Sequence, residues 1–283
     1  MQARNVDFLI TRRTTRRRDF LGAGLAGSFA LALGACTEAS AAPLRLSMRI
    51  EGHGPAVVFE SGLGEGRKVW AAVVNGLTRC FTTVTYDRLG IGESAPRADP
   101  NAPVLASRVS STLLAALRRR HLFGPYILVG HSLAGLYVQA FARTYPLLTA
   151  GVVLVDATSP LEPPGVFVSR TPLPPGSTAA AEEAGVARSV AALLKGPSFP
   201  PIPLVVIAAT DHGAPPKEEA LWLDVQRRTA RMSSKGRLVI VHGGHSVPSE
   251  QPAAVLSAVL SVAAMGGVGV AACRRCDSAH GCR

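Results

Sequence analysis

The chain has 283 residues, 47% of them hydrophobic and 17% charged, with a formal net charge of +11. That balance excludes a highly charged disordered chain and allows one sizeable buried core. The charge does not mark a nucleic-acid binder: six arginines and two aspartates in residues 1–36 contribute +4 of it, and the remaining bases are dispersed.

Residues 1–36 read as an address rather than a fold. Arg12, Arg13, Arg16, Arg17 and Arg18 precede an apolar run of 15 residues, Leu21 to Ala35, too short to span a bilayer comfortably. Arg17-Arg18-Asp19-Phe20-Leu21 resembles the bacterial twin-arginine export signal; a general secretory signal with a basic head is the alternative. Leu33-Gly34-Ala35-Cys36 resembles a lipobox, which implies a lipidated Cys36 and membrane attachment, while Ala39-Ser40-Ala41 fits ordinary signal cleavage. Either ending implies export across the bacterial cytoplasmic membrane, to the periplasm, the cell surface or the medium.

Residues 43–265 have the size and pattern of one domain. Apolar runs at 44–50, 56–60, 82–86, 126–129, 151–155, 204–208 and 237–241 read as strands, mostly without polar alternation, as in a sheet covered on both faces. Between them, 104–120, 133–144, 218–232 and 252–264 have helical patterns, with Arg118-Arg119-Arg120 as a solvated helix end. The alternation predicts an α/β fold: a largely parallel central sheet with helices on both faces, and chemistry beyond the carboxyl ends of the strands. Residues 157–203 hold ten prolines and break the rhythm; one helix is expected there around 179–194, and Val166-Phe167-Val168 gives the segment something to pack. Residues 266–283 carry Cys273, Cys276, His280 and Cys282 at a spacing that completes no paired zinc site, and read as a disordered tail open to disulfide ties. Cys80 reads as a buried free thiol.

The chemistry concentrates at Gly130-His131-Ser132-Leu133-Ala134-Gly135, between the run Tyr126–Val129 and a helical pattern. A serine on a sharp strand-to-helix turn has its hydroxyl pushed into the crevice, and the Leu133 N–H then points where charge builds on an attacked carbonyl. The fifth position of the G-x-S-x-G pattern is Ala134, with glycine deferred to Gly135; one added methyl keeps the small residue that close helix packing needs. Such a serine requires a base and an acid. His245 follows the last strand through Gly243-Gly244 and is the expected base. His242 and His131 are expected to pack, and His53, His121 and His280 sit in turns or the tail. Asp211 and Asp156 each leave a buried strand at the same edge and give the order Ser, Asp, His, so either can be the acid. The turn Ser61-Gly62-Leu63-Gly64 brings a second oxyanion donor, the Leu63 N–H.

Phe59-Glu60-Ser61-Gly62-Leu63-Gly64, the stretch from Tyr86 to Ser94, the elbow and Gly243-Gly244-His245 occur in an order that resembles the α/β-hydrolase superfamily over nearly all of 43–265. The resemblance implies that 157–203 is a small cap and that the acid follows the strand after it, at Asp211. It implies carboxylic ester hydrolysis through an acyl-enzyme, a small-molecule ester substrate, no nucleic acid, and no metal, nucleotide or flavin cofactor. Many relatives have His-Gly where this chain has Ser61-Gly62. Asp87 and Arg88 fall in a loop that borders the pocket and are expected to be structural. A thioesterase, acyltransferase, carbon–carbon hydrolase or cofactor-free haloperoxidase keeps the same triad, and a non-catalytic binding protein keeps the same fold. A short cap with few large apolar side chains predicts small or medium-chain esters over long-chain lipids.

Overall fold

The β-branched runs of the chain assemble side by side in a seven-stranded sheet. The computed structural model describes residues 45–166 and 172–269. The expected export signal with Cys36, the Phe167-Val168 pair and the cysteines of the tail lie outside them. The strands are β1 (Met48–Glu51), β2 (Ala56–Glu60), β3 (Thr82–Tyr86), β4 (Tyr126–His131), β5 (Thr149–Val155), β6 (Leu204–Ala209) and β7 (Gly236–Val241). Their order is β1-β3-β2-β4-β5-β6-β7; β1 is antiparallel to β3, and the pairs from β3 through to β7 are parallel. Every strand segment read from the sequence is present, with ends moved by a few residues.

The longer helices are α1 (Ala106–Arg119), α2 (Ala134–Thr144), α3 (Thr178–Lys195), α4 (Pro216–Ala230) and α5 (Pro252–Met265). Side-chain alternation along the strands divides the core in two. Val57, Phe59, Ile127, Val129, Val153 and Ile207 face one way, against Trp70, Leu77, Phe81 and the Val255, Val259 and Val262 row of α5. Val58, Leu128, Val152, Leu154 and Val206 face the other way, against Leu113 and Leu117 of α1, Val138 and Phe141 of α2, and Ala230 of α4. Each such side chain, buried completely, contributes roughly 1.5–3 kcal/mol. Polar edges remain where the pattern predicts: Arg118, Arg119 and Arg120 are all exposed at the end of α1.

The insertion between β5 and β6 contains α3, close to the helix expected at 179–194. Ser177 starts it, its hydroxyl accepting the Ala180 N–H at 3.2 Å. Among the described residues no helix is long and apolar enough to cross a membrane. Cys80 differs from expectation: it is half-buried and disulfide-bonded, and the other four cysteines all lie outside the described residues.

Candidate active site

β4 ends in the elbow that the sequence announces. Ser132 has φ 54°, in the left-handed region, and is held there by three backbone bonds: its N–H to Val155 O (3.1 Å), and the Gly135 and Thr158 N–H groups to its carbonyl (2.9 Å each). The deferred glycine has a steric cause. A Cβ at Gly135 would stand 2.5 Å from Thr158 O and 2.7 Å from Ala157 Cβ, so α2 lies directly against the chain leaving β5. Gly130 is equally constrained, its missing Cβ facing Val138 Cγ2 at 2.8 Å and Ala134 O at 2.9 Å.

His245 stands over the serine, its Nε2 2.8 Å from Ser132 Oγ. Its Nδ1 lies 2.6 Å from Oδ2 of Asp156, which is fully buried. The carboxylate beside His245 is thus Asp156, the alternative read from the sequence, and not the expected Asp211. Asp211 is exposed, one residue beyond the Thr210 turn, and its backbone N–H donates to Gly243 O at 3.0 Å. Successive residues leaving a strand face opposite ways, and after β6 the inward position falls on His212.

His212 is the residue that sequence reasoning missed. Its Nε2 lies 2.8 Å from Asp156 Oδ2, the oxygen that His245 also uses, and its Nδ1 lies 2.7 Å from Glu219 Oε2 on α4. The available signal was a histidine just past a buried strand, with a carboxylate in the first turns of the next helix. Asp156 Oδ1 accepts the Ala209 N–H (2.9 Å) and Trp222 Nε1–H (3.0 Å), so the carboxylate takes four donors. Burial opposes its ionisation, but the bonds from His212 and His245 outweigh that and hold it well below the usual carboxylate range. His212 is pushed up to about 9, first by its bond to Asp156 and then by Glu219, against partial burial.

The turn after β2 comes to the opposite side of the serine, where a Cβ on Gly62 would lie 3.1 Å from Ser132 Cβ. This turn is gripped from three directions. Arg88, buried, donates to Ser61 O and Gly62 O (2.6 Å each). Glu65 Oε2 accepts the Gly62 N–H at 2.9 Å, and Glu182 of α3 accepts the Gly64 N–H at 2.8 Å. Ser61 is buried and accepts Trp70 Nε1–H at 3.1 Å. The guanidinium of Arg88 is itself paired with Glu60 and Glu182, each at 2.7 Å, and Asp87 pairs with Arg67. His131 is buried, as expected, yet it also braces the site. Its Nε2 donates to the His245 carbonyl at 2.9 Å, while Nδ1 sits 3.1 Å from Glu65 Oε2.

Ser132, His245, Leu63 and Leu133 open on one cleft of about 850 Å³. Val186, Val190 and Leu194 of α3 form an apolar wall longer than the sequence suggested. Glu65, Glu162, Glu183, Glu218 and Glu219 also line the cleft, and among the described residues neither lysine nor arginine does. Burial, reinforced by the charge of Asp156, pushes Glu162 up to about 7, although the Ser159 N–H that it accepts pulls the other way.

Comparison with known proteins agrees with this architecture. Residues 55–187 match the family model of the alpha/beta hydrolase fold. An uncharacterized protein of Mycobacterium tuberculosis is 33% identical over 138 residues, 48% of this chain and 39% of that protein. An esterase of the same organism is 34% identical over 112 residues, covering 40% of this chain and 36% of its own length. The chain thus spans about two fifths of the curated relatives it matches. A thermophilic esterase from Thermogutta terrifontis superposes with a TM-score of 0.58 at 22% identity, covering 76% of this chain and 92% of that one. The chain has the α/β-hydrolase fold.

Proposed function

We propose that this chain of α/β-hydrolase fold is an exported serine hydrolase that cleaves uncharged carboxylic esters of small to medium chain length through an acyl-enzyme. The observation that carries the reading is His245, within hydrogen-bond reach of Ser132 Oγ on one nitrogen and of buried Asp156 on the other. His245 takes the hydroxyl proton as Oγ bonds to the ester carbonyl carbon, and the Leu63 and Leu133 N–H groups receive the negative oxygen. The carbon–oxygen bond then breaks, and the proton passes from His245 to the leaving alcohol. Water, deprotonated by the same imidazole, releases the acid and restores Ser132.

The cleft supports the substrate class. Its apolar wall suits an acyl chain, and its carboxylates, with no lysine or arginine beside them among the described lining residues, disfavour an anionic ester. A series of p-nitrophenyl esters from acetate to palmitate tests this by kcat/KM. A maximum between acetate and hexanoate is expected, because Leu194 is exposed and ends the apolar wall; a steady rise to palmitate overturns the chain-length reading.

Export is supported by the Arg17-Arg18-Asp19-Phe20-Leu21 stretch and by the disulfide at Cys80, which suits an oxidising compartment. The paired change Arg17→Lys with Arg18→Lys traps precursor in the cytoplasm, and Cys36→Ser releases the protein from membranes. Unimpaired export of the first variant, or unchanged fractionation of the second, removes the corresponding step.

A further inference from the structure

Asp156 Oδ2 receives two imidazoles, and the serine mechanism uses only one of them. The second, His212, has a carboxylate oxygen at each ring nitrogen: Asp156 Oδ2 at 2.8 Å from Nε2 and Glu219 Oε2 at 2.7 Å from Nδ1. A carboxylate has no proton to give, and a neutral imidazole has only one N–H. Both contacts are satisfied together only when the ring carries both protons. The backbone reinforces the clamp, since the His212 N–H donates to Glu219 Oε1 at 2.7 Å and the ring lies edge-on to Trp222 at 5.4 Å.

We propose that His212 is a positioning residue: as an imidazolium gripped by Glu219, it fixes the Asp156 carboxylate and offsets part of its charge, and so sets the pH at which His245 is free to act as base. The inference rests on the serine-hydrolase reading of the site. The two imidazole rings are 6.1 Å apart. A cation at that distance opposes a second proton on His245, while Asp156 favours it. The other groups around the pair are Glu218 beside Glu219 on α4, Glu162 of the insertion, which interacts with Asp156, Glu65 with His131 on the far side of His245, Asp211 next to His212, and Glu250 against the Gly243-Gly244 turn. All the carboxylates among them act in the opposite sense to a charged His212, which therefore limits their pull. The elevated proton affinity of His212 agrees with the geometry.

The test is the second-order rate of Ser132 labelling by a fluorophosphonate between pH 5 and pH 10, which needs no knowledge of the substrate. His212→Gln keeps a donor near Asp156 but loses the charge. The rise of its labelling rate is expected about one pH unit above that of wild type. A folded variant whose rate falls uniformly, or not at all, with an unshifted rise overturns the proposal, because a merely structural role predicts that. A second measurement does not depend on that variant: the His212 ring, followed by NMR, stays doubly protonated past pH 8 in wild type and titrates at lower pH in Glu219→Gln. Loss of the wild-type proton below pH 7 overturns the proposal. Wild-type protein unlabelled at every pH overturns the serine-hydrolase reading, and this inference with it; labelling without the shift overturns this inference alone.

Discussion

Ser132 and Asp156 leave neighbouring parallel strands one residue after a register pair, His131 and Val155, and both turn through left-handed backbone, with φ 54° and 42°. The two turns are stitched together, since Ser132 N–H donates to Val155 O and Thr158 N–H to Ser132 O. Left-handed backbone costs a non-glycine residue of order 1–3 kcal/mol, and two such residues side by side are sustained by the strands beneath them, β4 wholly buried and β5 buried but for Ala150. The pairing puts Ser132 and Asp156 on adjacent strand ends, with His245 reaching across from beyond β7.

Asp156→Asn is accordingly the crippling acid substitution. The amide offers His245 Nδ1 a poorer partner and favours the wrong tautomer, so kcat/KM falls by roughly 10³–10⁴-fold. Asp211→Asn, at an exposed side chain, leaves kcat/KM near wild type. Steady-state kinetics on a p-nitrophenyl ester checks both, and the reverse ranking contradicts the assignment.

The contrast between these aspartates shows what the sequence made legible. Strand positions, the elbow, His245 and the helix at Thr178–Lys195 followed from local pattern, because buried parallel strands and caps leave continuous apolar runs and punctuating residues. The choice of acid did not, because it depends on which of two adjacent residues after β6 faces inward, a one-residue matter of turn geometry. His212 escaped for the same reason, and its meaning appears only when β5, β6 and α4 meet. Ala134 in place of the usual glycine is explained by Gly135, whose lack of a side chain lets the Ala157-Thr158 exit of β5 pass against α2.

The Arg88–Glu182 pair joins the insertion to the turn that carries Leu63. Glu182 accepts the Gly64 N–H and two bonds from Arg88, all within 3.0 Å. Glu182→Gln is expected to loosen the turn and lower kcat by about tenfold to a hundredfold, with a small effect on KM, since a donor moved by about 1 Å loses most in the transition state. A change confined to KM would mean that the pair shapes the binding wall instead.

Glu162 makes stability depend on pH near neutrality. Its carboxyl is raised from the unfolded range to about 7 by burial and by Asp156, so folding favours the protonated form. The stability it contributes is whole below about pH 4.5 and is lost as pH rises through about 7. Between pH 5 and pH 8.5 wild type therefore loses on the order of 2 kcal/mol more than Glu162→Gln, whose side-chain oxygen still accepts the Ser159 N–H. Urea denaturation of both proteins at the two pH values measures it; parallel losses contradict the assignment.

The most direct test of the account is covalent labelling of purified protein with a fluorophosphonate, followed by peptide mass spectrometry. One adduct is expected, on the peptide bearing Ser132, formed rapidly in wild type, strongly slowed in His245→Ala and Asp156→Asn, and absent in Ser132→Ala. An adduct that survives Ser132→Ala, or forms as fast without His245, contradicts the account.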